Sequence, residues 1–152
     1  PGFVYTERNA REITDVALGL LASRNAEQKA FLWVHYFDPH MPYDQSIAGL
    51  SGYDDEISYM DAEIGRLIQS LSRKQWLICI VGDHGEGLGE HGEATLGDLL
   101  FDSTMRIPLI LSGPGWRGGR VRSDVVTMSD IMPTILGYAG GSNSESSYSD
   151  LN

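Results

Sequence analysis

The sequence predicts an α/β fold in which a mostly parallel sheet is flanked by helices. Two segments carry a helical apolar period, and short runs of apolar, aromatic and β-branched residues lie between them. The order strand, helix, strand is typical of a right-handed βαβ unit. The 152 residues predict one domain at residues 1–139, followed by a polar, serine-rich tail at residues 140–152 that is expected to be disordered.

Three helices are predicted from apolar spacing and end signals. Residues 7–24 carry apolar side chains at positions 13, 16, 17, 20 and 21, which form one helical stripe, and Thr6 is the expected cap. Residues 51–72 have the same period, with acidic residues in the first turn that suit the positive end of the helix dipole. A final helix at residues 131–136 is expected to begin after the capping residues Ser129 and Asp130.

Short apolar runs predict the strands. Residues 31–37 are aromatic and β-branched without a helical period, which predicts a buried strand. Residues 76–81 form a continuous apolar run, typical of a strand covered on both faces of a parallel sheet. Residues 107–111 are a third predicted strand, with a proline near its start, and residues 121–126 are a candidate edge strand.

The composition excludes several classes of function. Eleven Lys and Arg residues against 21 Asp and Glu residues give a net charge of −10, which disfavours nucleic acid and anionic membrane surfaces as partners. No apolar run approaches the length of about 20 residues that a membrane helix needs, so no direct membrane insertion is expected. The single cysteine, Cys79, cannot form an internal disulfide and is expected to be inert inside a strand.

A glycine-rich loop at residues 82–97 carries the clearest chemical signal. It follows a predicted buried strand, where open α/β sheets place their ligand sites. Asp83 and His84 stand side by side between Gly82 and Gly85, and the absent Cβ atoms let the backbone aim both side chains at one point. Carboxylate oxygen and imidazole nitrogen bind divalent cations, with calcium, magnesium, manganese and zinc left open. Three glutamates remain ambiguous between ligands and a solvated face: Glu86, Glu90 and Glu93.

A second candidate is a histidine between two prolines. Pro39 and Pro42 restrict the backbone around His40, so its ring could donate a hydrogen bond to an anionic oxygen. From spacing alone, a surface histidine without a role is the simpler interpretation. His35, within the first predicted strand, is expected to lie in the core or behind the site.

Five segments, taken in order, resemble blocks of the sulfatase family. This family belongs to the alkaline-phosphatase-like superfamily, whose members hydrolyse or transfer sulfate and phosphate esters. The resemblance implies part of an alkaline-phosphatase-like α/β/α sandwich and extends from about residue 31 to residue 140. The segments are residues 35–43, 53–65, 82–93, 100–110 and 130–136.

The resemblance also implies roles for four residues. Asp83 and His84 match ligands of a divalent cation, with calcium expected before magnesium, manganese or zinc. His40 matches the imidazole that contacts the oxygens of the transferred sulfuryl or phosphoryl group, and His91 lies at or near the substrate pocket. His40 and His91 are therefore the expected catalytic and substrate-binding residues. A metal neutralises charge on the ester oxygens, and a histidine assists the leaving oxygen.

Two departures from the family pattern bear on activity. The family's nucleophile is a cysteine or serine in a Cys/Ser-x-Pro-x-Arg motif that is converted to formylglycine, and the sequence contains no such motif. We therefore expect the C-terminal portion of a sulfatase-like catalytic domain, inactive alone and prone to self-association through an uncovered sheet edge. Leu96, which offers neither a ligand nor a hydrogen bond, stands where relatives commonly have histidine or lysine.

Three other functions remain open. A phospho- or phosphonate-ester hydrolase, or a phosphoglycerol-type transferase of the same superfamily, would bind the same tetrahedral oxyanion with the same residues. A degenerate, non-catalytic binding or structural module is suggested by Leu96. A response-regulator-like α/β domain would account for the strand–helix alternation and the acidic loop, but not for the histidines or the glycines.

Overall fold

The computed structural model of the chain describes residues 7–41, 43, 52–71, 75–92 and 99–140. The chain divides into two compact units, Pro1–Ser72 and Arg73–Asn152. Within the described ranges, none of the helices combines the length and the apolar character that crossing a membrane requires. Of the predicted disordered tail, residues 141–152 lie outside these ranges, as do Glu93 and Leu96, whereas Gly140 is described.

The first helix, α1 (Ala10–Ser23), begins at a reciprocal hydrogen-bonded cap. The Asn9 side chain accepts a hydrogen bond from the Glu12 N–H at 3.1 Å, and the Glu12 carboxylate accepts one from the Asn9 N–H at 3.3 Å. These bonds satisfy backbone N–H groups that have no partner inside the helix. The helix therefore begins three residues later than predicted, and the expected cap, Thr6, lies outside the described residues.

The second helix, α2 (Tyr53–Ser70), agrees with its prediction to within two residues at each end and packs against α1. The buried face of α1 is formed by Ala10, Thr14 and Ala17. By contrast Val16 and Leu20, which belong to the predicted stripe, are 49% and 57% exposed. Polar contacts also join the two helices, among them a hydrogen bond from Arg66 Nη2 to the Arg11 carbonyl at 3.3 Å, which the apolar period alone does not predict.

A buried carboxylate lies between these helices. The Glu63 side chain is 9% exposed and accepts hydrogen bonds from Arg66 Nε at 2.8 Å and Nη2 at 2.6 Å. Arg11 Nε lies 3.6 Å from Glu63, and Arg66 Nη1 lies 2.8 Å from Asp15. Hydrogen bonds to Glu63 and Asp15 raise the pKa of Arg66 above its usual range. Because an unpaired buried carboxylate is costly, these arginines keep Glu63 compatible with the packed interface.

Residues 31–37 form no strand in the described structure, so the predicted first strand is wrong. Alternate side chains are half-buried along this segment, whereas Phe31 and Trp33 are 71% and 78% exposed. His35 is also exposed, so the first of its two expected positions, in the core, is wrong, and a position behind the site stays a prediction. The alternation indicates that one side of the segment is covered, although no described strand pairs with its backbone. Tyr36, from the covered side, shares a 2.9 Å hydrogen bond with Thr14 of α1.

The second unit contains the sheet. Strand β1 (Ile78–Val81) pairs antiparallel with β2 (Leu109–Ser112), with Ile78 opposite Ser112 and Val81 opposite Leu109. The described part of the chain has no other sheet and no βαβ unit, which differs from the predicted parallel arrangement. An apolar run indicates burial but not the direction of the neighbouring strand. Helices together with this sheet retain the α/β character.

Cys79 lies within β1 and is half-buried. Removal of the thiol from water by burial raises its pKa above the usual value. Because the thiolate is the reactive form, a raised pKa agrees with the expected inert packing of this side chain.

The segment between the sheet and the final helix differs from its prediction. Residues 121–126 form no strand in the described structure, and Val121 and Val125 are 98% and 96% exposed. The predicted edge strand is therefore wrong, because no neighbouring strand supplies hydrogen bonds to this segment. A short helix, α3 (Asp102–Met105), precedes β2, and the last helix, α4 (Ile131–Ala139), follows a 3₁₀ turn, Met128–Asp130.

Of the two predicted capping residues, Asp130 is the N-cap residue of α4, and its side chain caps the turn before the helix. The Asp130 carboxylate accepts hydrogen bonds from the Thr127 N–H at 2.8 Å and from its hydroxyl at 3.1 Å. Ser129 lies inside the 3₁₀ turn, so Thr127 takes the position that the sequence had suggested for Ser129.

The Thr14–Tyr36 hydrogen bond predicts a measurable coupling. Thr14→Val keeps the shape of a fully buried side chain but leaves the Tyr36 hydroxyl without this partner, so the free energy of unfolding should fall by about 1–2 kcal/mol. Burial already raises the pKa of Tyr36, and the Thr14 hydrogen bond opposes that shift. The pKa of Tyr36 should therefore rise further in Thr14→Val, which ring-carbon NMR can follow.

The control for this prediction is a double-mutant cycle with Tyr36→Phe, followed by urea unfolding. Destabilisation by the two changes should be less than additive, since each change removes the same bond. Strictly additive costs would show that the hydroxyl pair contributes nothing.

Candidate functional site

The loop that follows β1 is fixed by backbone hydrogen bonds to a distant part of the chain. The Gly82 N–H donates to the Pro108 carbonyl at 3.2 Å. The Gly85 N–H donates to Thr104 O at 2.8 Å, and the next N–H, that of Glu86, donates to Ser103 O at 3.1 Å. Residues 82–92 form the predicted loop, and the rest of that prediction lies outside the described residues.

The acceptors of the last two bonds belong to the short helix α3 (Asp102–Met105), for which the sequence carries no predicted element. A Cβ atom on Gly85 would overlap the Ser103 carbonyl oxygen, so only glycine fits this approach. Gly82 differs, because a Cβ atom there would meet its neighbours at 3.4 Å or more, an ordinary contact distance. The expected need for glycine therefore applies to one of the two positions that flank the acid–imidazole pair.

Asp83 and His84 face each other at the start of this loop. The His84 N–H donates to Asp83 Oδ1 at 3.0 Å, and His84 Nε2 lies 3.6 Å from Asp83 Oδ2. His84 Nδ1 lies 2.8 Å from the Gly85 carbonyl oxygen. The side chains are 66% exposed for Asp83 and 41% exposed for His84, so solvent ions have access to both.

The donor atoms of this pair fit one divalent cation. A carbonyl oxygen only accepts hydrogen bonds, so the Nδ1 contact suits the tautomer with the proton on Nδ1, in which the Nε2 lone pair is available to a cation. Two ligands at bond lengths of about 2.0–2.6 Å lie about 3–4 Å apart, which matches the 3.6 Å between Nε2 and Oδ2. Within the described ranges, no third His, Cys, Asp or Glu joins them. These residues therefore suit a partial, strongly hydrated site.

His91 lies in the same loop on a tight turn. The Gly92 N–H donates to Gly89 O at 3.1 Å, and both glycines have positive φ, 97° at Gly89 and 77° at Gly92. The His91 ring stacks on Phe101, with ring centroids 3.8 Å apart and planes inclined by 23°. No spacing signal in the sequence pointed to Phe101, because ten residues separate it from His91.

One of the ambiguous glutamates belongs to this turn. The Glu90 carboxylate accepts a hydrogen bond from the Leu88 N–H at 2.8 Å. Backbone hydrogen bonds, from its own N–H and that of Leu88, lower the pKa of Glu90 below its usual value. This carboxylate therefore supports the loop backbone.

His40 lies in the first unit, whereas Asp83, His84 and His91 lie in the second. It follows the cis peptide bond between Asp38 and Pro39 and is exposed. Its ring stacks on Phe37, with centroids 4.4 Å apart and planes inclined by 28°. The ring edge, which carries both nitrogens, remains open to hydrogen bonding in such a stack.

Comparison with known proteins identifies the class of this chain. The family model described as Sulfatase matches residues 2–142, so the chain belongs to the sulfatase family. Membership implies an alkaline-phosphatase-like α/β fold, in agreement with the mixture of helices and strands described above. No solved structure matches the chain significantly.

Several curated proteins are similar over part of their length. An arylsulfatase of Clostridium perfringens is 30% identical over 97 residues, which cover 59% of this chain and 20% of the relative. A choline-sulfatase of Rhizobium meliloti is 35% identical over 92 residues, 58% of this chain and 18% of the relative. The multifunctional alkaline phosphatase superfamily protein PehA of Trinickia caryophylli is 35% identical over 92 residues, which cover 56% of this chain and 18% of the relative. The chain spans about a fifth of the length of these relatives.

The close approach of Gly85 to Ser103 predicts a large cost for any side chain at this position. Gly85→Ala should lower the free energy of unfolding by about 2 kcal/mol or more, because the backbone must move and the bond to Thr104 is strained or lost. Amide hydrogen exchange at residues 85 and 86 should become faster.

The matched control is Gly65→Ala in α2, where a Cβ atom meets nothing within 4 Å. That change should stabilise the chain by up to about 1 kcal/mol, since alanine favours a helix interior. Equal stability of Gly85→Ala and the unchanged chain would contradict the described packing of the loop on α3.

Proposed function

We propose that the chain forms part of a metal-dependent sulfuric-ester hydrolase, with Asp83 and His84 as ligands of a divalent cation. Membership of the sulfatase family supports the class of reaction. The main support for the metal site is the geometry of the acid–imidazole pair. The 3.6 Å between His84 Nε2 and Asp83 Oδ2 suits a shared cation, and so does the contact of His84 Nδ1 with the Gly85 carbonyl. Calcium is the proposed ion, with magnesium, manganese and zinc as the alternatives that this ligand set also accepts.

The role proposed for the ion is electrostatic. When bound, a divalent cation supplies positive charge beside the non-bridging oxygens of a sulfate ester. Asp83 and His84 hold their donor atoms toward one point through the Asp83 Oδ1 bond and the Gly85 carbonyl. The backbone bonds of Gly82, Gly85 and Glu86 fix the stretch of loop from which both side chains extend.

His91 and His40 are the proposed substrate-binding and catalytic histidines. The stacked ring of His91 leaves its nitrogen-bearing edge free to donate a hydrogen bond to an ester oxygen. His40 is supported by its match to the family's Pro-His-x-Pro segment and by its exposed, stacked ring. Protonation of the leaving oxygen is the chemistry that an imidazole can supply in such a reaction.

Turnover is proposed for the whole protein that carries this chain. The aligned part covers about a fifth of the relatives, and the sequence holds no Cys/Ser-x-Pro-x-Arg motif for a formylglycine nucleophile. The second candidate function is hydrolysis or transfer of phosphate or phosphonate esters. The similarity to PehA, named as an alkaline phosphatase superfamily protein, favours this second function, so phosphate esters are included in the test below.

Metal binding is tested on the chain itself. In amide NMR titrations with calcium or manganese chloride, signals of residues 82–86 should respond with a dissociation constant on the order of millimolar, because two protein ligands leave the ion mostly hydrated. Asp83→Asn should abolish this response, since the amide that replaces the carboxylate carries no charge.

Asp61→Asn is the matched control, because Asp61 is an exposed carboxylate of α2 and should leave the titration unchanged. An Asp83→Asn chain that binds either ion as tightly as the unchanged chain would remove Asp83 from the proposed ligand set.

Catalysis is tested on the whole protein with paired aryl sulfate and aryl phosphate substrates. His40→Ala should lower turnover about 100-fold or more while metal content stays constant, because His40 is assigned to the ester and not to the ion. Loss of metal would show that His40 was assigned the wrong role. A strong preference for phosphate would favour the second function, and no hydrolysis with any of the four ions would favour a non-catalytic module.

A further inference from the structure

One short segment, residues 101–104, contacts the loop beside the proposed metal ligands and also contacts His91. Its carbonyl groups accept the backbone hydrogen bonds of Gly85 and Glu86, next to the proposed metal ligands. Its first side chain, Phe101, stacks on His91, seven residues beyond His84. The segment therefore gives the loop two separate points of attachment, one through the backbone and one through an aromatic ring.

The backbone of His91 and its ring are held by different contacts. The hydrogen bond between Gly89 and Gly92 closes the turn and fixes where the His91 Cα lies. It does not fix the side-chain dihedrals, and His91 is exposed, so rotation about them is not restricted by burial. The stack with Phe101 is the ring contact that selects one orientation.

Phe101 is itself held firmly. It stands at the N-terminal cap of α3, and its carbonyl accepts hydrogen bonds from the N–H groups of Thr104 at 3.0 Å and Met105 at 2.9 Å. The buried Thr104 hydroxyl also donates to this carbonyl at 3.1 Å. These three bonds fix the backbone from which the Phe101 side chain extends, and Phe101 is half-buried whereas His91 is exposed.

We propose that Phe101 is a positioning residue that orients the His91 imidazole for the ester oxyanion. This inference rests on the proposed function, because it assigns a partner to a histidine of that site. Stacking occupies the face of the imidazole and leaves both nitrogens, which lie on the ring edge, available to an oxygen. A flat ring sets the plane of its partner, whereas a branched aliphatic side chain of similar volume does not.

The first arm of the test measures the stack in the chain itself by NMR. Ring-current shielding from Phe101 should move the His91 ring protons upfield. Phe101→Leu should abolish this shift, and Phe101→Tyr should retain it. Phe31→Leu is the matched control, because Phe31 is an exposed phenylalanine of the other unit and its loss should leave the His91 signals unchanged. Identical His91 shifts in Phe101→Leu and the unchanged chain would overturn the proposal.

The second arm measures function in the whole protein. Phe101→Leu should lower kcat about three- to tenfold, the factor expected when one side chain must be immobilised during the reaction. The dissociation constant for calcium should not change, because the backbone bonds to residues 85 and 86 remain. Phe101→Tyr should restore kcat to within about twofold, since it keeps the ring. An unchanged kcat in Phe101→Leu, with the ring-current shift lost, would also overturn the proposal.

A third arm separates this inference from the proposed function. If the unchanged protein hydrolyses neither ester, the proposed function fails. Whether Phe101 positions His91 is then tested by titrating the chain with inorganic sulfate. Phe101 then remains a positioning residue for an oxyanion ligand only if the His91 signals respond to sulfate about three- to tenfold more weakly in Phe101→Leu. An equal response, or none in the unchanged chain, would overturn it.

Discussion

The geometry of the candidate site depends on two backbone hydrogen bonds between the loop after β1 and helix α3. Donation from Gly85 to Thr104 and from Glu86 to Ser103 brings two distant stretches of chain together. The approach is so close that Gly85 has no room for a Cβ atom. These bonds hold the backbone on both sides of the acid–imidazole pair, while the two exposed side chains are oriented by their own contacts with the His84 N–H and the Gly85 carbonyl.

Periodicity and local chemistry predicted part of this molecule well. The α2 helix was found within two residues at each end, because its apolar residues repeat at helical spacing over eighteen positions. The loop after β1, with Asp83 and His84 adjacent to glycines, was recognised because glycine and acid–imidazole pairs are local signals. The ordered blocks of family similarity then gave the sulfatase family, which the comparison confirmed over residues 2–142.

The remainder depends on contacts between distant residues, which no local pattern contains. The direction of β2 relative to β1 and the unpaired state of residues 31–37 are set by neighbouring strands. Burial of Glu63 depends on arginines from two helices. An apolar period identifies only apolar core positions, so it could not predict a buried carboxylate. The stack of Phe101 on His91 forms between two separate parts of the chain, so the sequence indicated His91 as a candidate site residue but gave no signal for Phe101.

The single thiol of the chain has a practical consequence for experiments. Because Cys79 is half-buried in β1 and its pKa is raised, little thiolate forms at neutral pH. Maleimide and iodoacetamide reagents act on thiolates, so a new cysteine on a solvent-facing helix position should be labelled much faster than the native one. Fluorophores and spin labels can thus be attached at chosen positions without first replacing Cys79, which preserves the packing of the strand.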